Sequence, residues 1–141
     1  MAVDILLVDD HPMMRTGLRG ILTTQDDFQV CAEASCLQEA IAAAKAHELQ
    51  IALIDLQLKD GSGLEVVQAL KRQHPNVRLL VVSMHDENLY AERTLRAGAH
   101  GYISKAESSA KLIAAIRRVL DGKHAVSEAI NEKILASTTG D

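Results

Sequence analysis

The chain has no tryptophan, one phenylalanine and two tyrosines among 141 residues, so it offers no aromatic platform on which nucleobases could stack. Its two cysteines, Cys31 and Cys36, lack CxxC spacing and a Cys/His partner set. They read as reduced thiols, with Cys31 packed in a strand, and not as zinc ligands. Basic residues are outnumbered, 15 Lys and Arg against 19 Asp and Glu, for a formal net charge of −4; non-specific attraction to nucleic acid is not implied. No apolar run approaches the roughly 18 residues that span a bilayer. The opening "MAVDILLVDD" lacks the basic n-region of a signal peptide. A cytoplasmic protein without a membrane partner is expected. What is present, 48% apolar and 24% charged residues, suits one domain with an Ala/Leu/Ile/Val core.

Five short apolar runs recur: "VDILLV" (Val3 to Val8), "FQVCAEA" (Phe28 to Ala34), "IALID" (Ile51 to Asp55), "VRLLVVS" (Val77 to Ser83) and "GYISK" (Gly101 to Lys105). The first, third and fourth are nearly continuous in Ile, Leu and Val, as in strands buried on both faces of a parallel sheet. "FQVCAEA" alternates and belongs nearer an edge. Helical stretches lie between them. Pro12 suits a first turn, followed by a stripe of Met14, Leu18, Ile21 and Leu22. Leu37 to His47 is Ala-rich. Leu64, Val67 and Leu70 mark a third helix ending before Pro75. Asp86 can cap a fourth, with Leu89, Leu95 and a stop at Gly98. Ser108 or Ser109 can cap a fifth, with Leu112, Ile113, Ile116, Val119 and Leu120 inward. A sixth helix from Ser127, with Ile130 and Ile134 on one face, is possible before the frayed "STTGD". The sum is an α/β, doubly wound (βα)5 domain, flavodoxin-like, with strand order 2-1-3-4-5. Its ligand edge lies beyond the carboxyl ends of the first and third strands.

The strand ends carry the chemistry. The first run ends in Asp9 and Asp10, the third in Asp55, the fourth in Ser83 and the fifth in Lys105. Each residue alone is an ordinary cap, turn residue or solvated lysine; together they reach one edge of the sheet. Converging carboxylates repel unless a cation sits among them. Oxygen ligands with room for water suit Mg²⁺. Lys105 and Ser83 suit an anion of phosphate geometry. A metal, a carboxylate nucleophile and an ammonium point to phosphoryl transfer onto aspartate.

In "ILLVDDHPMMRTGL", "ALIDLQLKDGSGLEVVQAL" and "LLVVSMHDENLYAERTLRAGAHGYISK" the sequence resembles the receiver domain of bacterial two-component response regulators. It is most similar to the subfamily with a LuxR-type helix-turn-helix output domain. The resemblance covers about Ile5 to Leu120. It implies that Asp55 is the phosphoacceptor. Asp10, Asp55 and the backbone carbonyl of Gln57 would hold Mg²⁺, and Asp9 would act through a metal-bound water. Lys105 would pair with the phosphoryl oxygens, and Ser83 and Tyr102 would be the switch pair. It further implies a sensor histidine kinase as donor and a homodimer favoured by phosphorylation. DNA would be contacted only through a C-terminal domain absent from this chain. Residues 1–122 would form the receiver and 123–141 an extension toward that domain. Such a receiver is a signalling module and not a metabolic enzyme, although it catalyses its own Mg²⁺-dependent phosphorylation and dephosphorylation.

Two positions depart from the family pattern. Lys59 stands where proline is frequent, and Ala106, not proline, follows Lys105, so no cis X-Pro bond is possible there. Gln57 and His85 occupy positions that tune phosphate lifetime in the family. "KDGSG" lacks the GxxxxGK[ST] phosphate loop and reads as a turn. Of six histidines, His11 is the one expected near the pocket, because it follows Asp10. Met14 fits the core stripe, while Met13 could sit near the kinase-docking end of the first helix. Lys111, Arg117, Arg118 and Lys123 read as a solvated face, with pairing across a dimer as the other possibility. Two rival functions differ in kind. A phosphorylation-independent interaction domain predicts loss of the acidic residues, which are all kept. A hydrolase with an aspartyl nucleophile commonly carries DxD, whereas Asp55 is followed by Leu56 and Gln57.

Overall fold

A computed structural model of the chain describes residues 2–58, 61–84 and 87–126. Lys59, His85, the Asp86 cap, the inward placement of Leu89 and the helix expected from Ser127 lie outside the described residues or side chains. In chain order the elements are β1 (Val3–Val8), α1 (Pro12–Leu22), β2 (Phe28–Ala34), α2 (Leu37–Ala46), β3 (Ile51–Ile54), β4 (Gln57–Leu58), β5 (Gly61–Ser62), α3 (Gly63–Gln73), β6 (Arg78–Ser83), α4 (Glu87–Ala97), β7 (Gly101–Ser104) and α5 (Ser109–Leu120).

Five strands form one parallel sheet in the order β2-β1-β3-β6-β7. This is the expected 2-1-3-4-5 order once β4 and β5 are set aside. Those two pair antiparallel as a small hairpin, Gln57 opposite Ser62 and Leu58 opposite Gly61, where the sequence suggested only a turn. The central strands bury both faces. Leu6, Val8, Ala52, Ile54, Leu79 and Val81 pack with Val66, Val67 and Leu70 of α3. Ile5, Leu7, Leu53, Leu80 and Val82 pack with Leu18 and Leu22 of α1 and Ile116 and Val119 of α5. With both faces covered, polar residues are excluded from either register, so the runs read as continuous and not alternating.

Local chemistry sets the helix ends. Ser108, not Ser109, caps α5, its hydroxyl accepting from the Lys111 N–H at 3.3 Å. Ser62 caps α3 through the Leu64 N–H at 3.1 Å. Met14 packs on the core and Met13 is exposed. The basic residues of α5 turn out to have partners within the chain. Arg117 donates to both carboxylate oxygens of Asp27 at 2.8 and 2.9 Å and covers the Phe28 ring at 4.6 Å. Lys111 pairs with Glu107 at 3.3 Å.

At the start of β7, His100 Nδ1 accepts the Leu79 N–H at 3.0 Å, which requires an unprotonated nitrogen there. Burial, then Arg78, Lys71 and His124, lower its pKa from 6.5 to about 4. The unfolded chain therefore binds a proton that the folded chain refuses between those two values, and stability falls as pH drops through that window. His100→Asn keeps an acceptor in place and removes the titration. Allowing for the ring's remaining exposure, it should flatten about 2 kcal/mol of pH dependence between pH 6.5 and 4. Urea unfolding at several pH values measures this; an unchanged slope would contradict it.

Candidate functional site

The parallel register aligns Val8 with Ile54 and Ile54 with Val81. The residues that follow therefore emerge side by side. Asp9 and Asp55 each keep a ladder bond, to the Ala34 carbonyl at 3.0 Å and the Val8 carbonyl at 2.9 Å, while their side chains project past the sheet. On the far side the Lys105 N–H bonds the Ser83 carbonyl at 2.9 Å. Three loops thus deliver their charges to one point although 96 residues separate Asp9 from Lys105.

The charges are withdrawn from water: Asp9, Asp10 and Asp55 are 2%, 8% and 5% exposed, and the Lys105 side chain 4%. Lys105 Nζ donates to Asp9 Oδ2 at 2.8 Å and Asp55 Oδ2 at 3.1 Å. His11, at the mouth of the pocket, places Nδ1 3.0 Å from Asp9 Oδ1, 3.0 Å from Asp10 Oδ1 and 3.9 Å from Asp55 Oδ2. Its hydrogen bond is directed at Asp9. Among the described residues no donor hydrogen-bonds the buried Asp10 Oδ1, close as that ring nitrogen is. A buried carboxylate oxygen without a donor is costly, and a cation is what would satisfy it. One oxygen from each of Asp9, Asp10 and Asp55 lies within 4.8 Å of the others and of His11 Nδ1, a donor set that fits a hard divalent ion. Burial pushes the Asp55 carboxyl above the usual carboxylate range; Lys105 opposes this and Asp9 adds to it.

The other expected residues fall around this core. The Gln57 N–H donates to Asp55 Oδ1 at 3.3 Å. Ser83 is fully buried at the end of β6. Tyr102 points inward, 2% exposed, two register positions from Ser83 across the β6–β7 pair. Two further residues were not anticipated. Arg15 of α1 donates to the Asp9 carbonyl and, through Nε, to Glu33 at 3.2 Å, so it fixes the acidic loop from behind. Arg19, four residues on, shares the same Glu33. That i, i+4 spacing on α1 was the one available signal. Gly63 brings the start of α3 against the backbone of Asp55: a Cβ there would stand 2.0 Å from the Asp55 carbonyl oxygen.

Comparison with known proteins agrees with this geometry. The family model described as "Response regulator receiver domain" matches residues 5–117. The response regulator UvrY of Escherichia coli O6:H1 is 31% identical over 135 residues, covering 96% of this chain and 62% of UvrY. The response regulator GacA of Pseudomonas viridiflava is 32% identical over 132 residues, covering 94% of this chain and 62% of GacA. The chain thus spans about three fifths of these relatives' length. A LuxR-family two-component response regulator from Aurantimonas sp. SI85-9A1 superposes with a TM-score of 0.88 at 31% identity, covering 99% of both chains. With the sheet order, the acidic cluster and the buried lysine already in place, the match over residues 5–117 settles the family: this chain belongs to the receiver domains of response regulators.

Proposed function

We propose that Asp55 is the acceptor of a phosphoryl group and that its occupancy switches the domain. The observation that carries this is the buried Asp55 carboxylate held 3.1 Å from Lys105, beside an Asp10 oxygen that has no hydrogen-bond donor among the described residues. Asp10, Asp55 and the Gln57 carbonyl would hold Mg²⁺, with Asp9 acting through water. Bound there, the ion would offset charge on the transferring phosphoryl oxygens. Asp55 supplies the nucleophilic oxygen: its bond to phosphorus forms as the donor's bond to phosphorus breaks. Lys105, which donates to Asp55 Oδ2 at 3.1 Å, would pair with the phosphoryl oxygens on Asp55. Ser83 would hydrogen-bond one of them, and Tyr102 would move with it. The Arg15 contact with the Asp9 carbonyl keeps the acidic loop from recoiling when charge is added.

In this reading the donor is the phosphohistidine of a sensor kinase in the cytoplasm, and hydrolysis of the acyl phosphate by the domain itself ends the signal. Residues 1–122 act as the receiver and 123–141 lead toward a DNA-binding domain, with phosphorylation favouring a homodimer. Among the described residues no helix is long and apolar enough to cross a membrane. Incubation with acetyl phosphate and Mg²⁺, followed by borohydride reduction, should convert residue 55 to homoserine, detectable by peptide mass spectrometry. EDTA should prevent it. Reduction at another carboxylate, or labelling that ignores EDTA, would overturn the assignment.

A further inference from the structure

The sheet does not end at β7. Ala125 forms a parallel bridge with Gly101: the Tyr102 N–H donates to the Ala125 carbonyl at 2.9 Å and the Ala125 N–H to the His100 carbonyl at 3.1 Å. Residues on either side add to this seat. Arg118 Nε donates to the His124 carbonyl at 2.5 Å, and the His124 ring stacks on His100 at 6.5 Å. Ala125 is buried in the layer of Ile116 and Val119, while Val126 packs on the opposite layer, which contains Tyr102. Consecutive side chains thus clasp both faces of the sheet, as in a strand. The fit is close, since a Cβ on Gly101 would stand 2.8 Å from the Ala125 carbonyl oxygen and 2.9 Å from Leu80.

The strand so covered is the one that delivers Lys105. Asp55 is joined to Lys105, Lys105 follows β7 directly, and Ala125 is joined to the start of β7 by two backbone hydrogen bonds, from Tyr102 and to His100. We propose that Lys123–Val126 is a latch on the outer edge of β7 that senses the state of Asp55: a phosphoryl group holding Lys105 in the pocket favours the strand position in which the latch is closed. The closed latch also covers backbone groups on an edge strand that would otherwise be open to pairing with a second chain. This rests on Asp55 being the acceptor. Linkage makes the coupling reciprocal, so it can be read from both ends.

The test uses the full chain with beryllofluoride and Mg²⁺ as the phosphoryl mimic. Amide hydrogen exchange at Ala125 and Tyr102 should slow about five-fold or more when the mimic binds. Ala125→Pro, which deletes the donor to His100, should weaken beryllofluoride binding by the same factor. Val126→Ser loosens only the apolar contact and should give a smaller loss in the same direction, which guards against misfolding of the proline variant. If the wild type does not bind beryllofluoride, the acceptor reading fails and the coupling with it. If it binds, but exchange at Ala125 is unchanged or faster, or the variants bind as tightly, the latch alone is overturned.

Discussion

Lys105→Ala should lower folding stability by about 3–5 kcal/mol at pH 7 without Mg²⁺, the scale for stripping one partner from a buried ion pair. Two features place it there. The ammonium lies 2.8 and 3.1 Å from Asp9 and Asp55, and all three side chains are at most 5% exposed. Alanine removes the ammonium that bridges two buried carboxylates. The deficit should depend on pH in a definite direction. Burial already raises the Asp55 carboxyl, and losing Lys105 raises it further. A carboxyl raised in the folded state weakens stability above its folded pKa, and that cost vanishes as pH falls below the unfolded value. The gap between variant and wild type should therefore narrow on going from pH 7 toward pH 4. Added Mg²⁺ should restore part of it, since a ligand bound only by the folded state stabilises by RT ln(1 + [L]/Kd). Urea unfolding at both pH values, with and without Mg²⁺, reads all of this. A deficit below about 1 kcal/mol, or one equal at both pH values, would show that the pair is far better solvated than its burial implies.

Gly63→Ala should cost about 3 kcal/mol and disable the site as well. Its Cβ would lie 2.0 Å from the Asp55 carbonyl oxygen, 2.8 Å from the Asp55 carbonyl carbon and 2.8 Å from Leu56 Cα. These are backbone atoms, so no side chain can swing aside, and relief must come from moving α3 away from the end of β3. That separation also strains the hydrogen bond from the Gly63 N–H to the Leu56 carbonyl, 2.7 Å long. Because Asp55 forms the other side of the contact that must open, a shift of about 1 Å there would reduce phosphoryl acceptance by about 100-fold. Gly61→Ala in the same loop is the control. A Cβ there meets only the flexible end of Glu65, at 3.4 Å, and the change should stay within about 0.5 kcal/mol. Comparable losses in the two variants would mean that the loop, and not the contact with Asp55, sets the cost.

Much of the fold and of the site could be read from the chain. Continuous Ile/Leu/Val runs bounded by polar ends follow from burial on both faces, and that pattern survives in one dimension. The strand ends then name Asp9, Asp10, Asp55, Ser83 and Lys105, because parallel strands joined by right-handed crossovers point their carboxyl ends one way. The structure adjusted these runs only slightly: Asp55 and Lys105 fall just past β3 and β7. His11 lies at the pocket, as its place after Asp10 implied.

The rest depends on atoms far apart in sequence meeting in space. Nothing local marks Ser108 over Ser109 as a cap or α5 arginines as partners of Asp27 and the His124 carbonyl, and the i, i+4 spacing of Arg15 and Arg19 does not by itself point to Asp9. The glycines of "KDGSG" looked alike as turn residues; only the approach of α3 to β3 separates Gly63 from Gly61. Ala125, an unremarkable alanine after the fifth helix, becomes an edge-strand partner because the chain turns back across Arg118. Residue type and period thus determined the sheet, its order and the charges at its edge, since hydrophobic periodicity and strand polarity are properties of the chain itself. Which of those charges are compensated, and what closes the open edge, was decided by packing, because hydrogen bonds and van der Waals contacts depend on distances that no one-dimensional pattern contains.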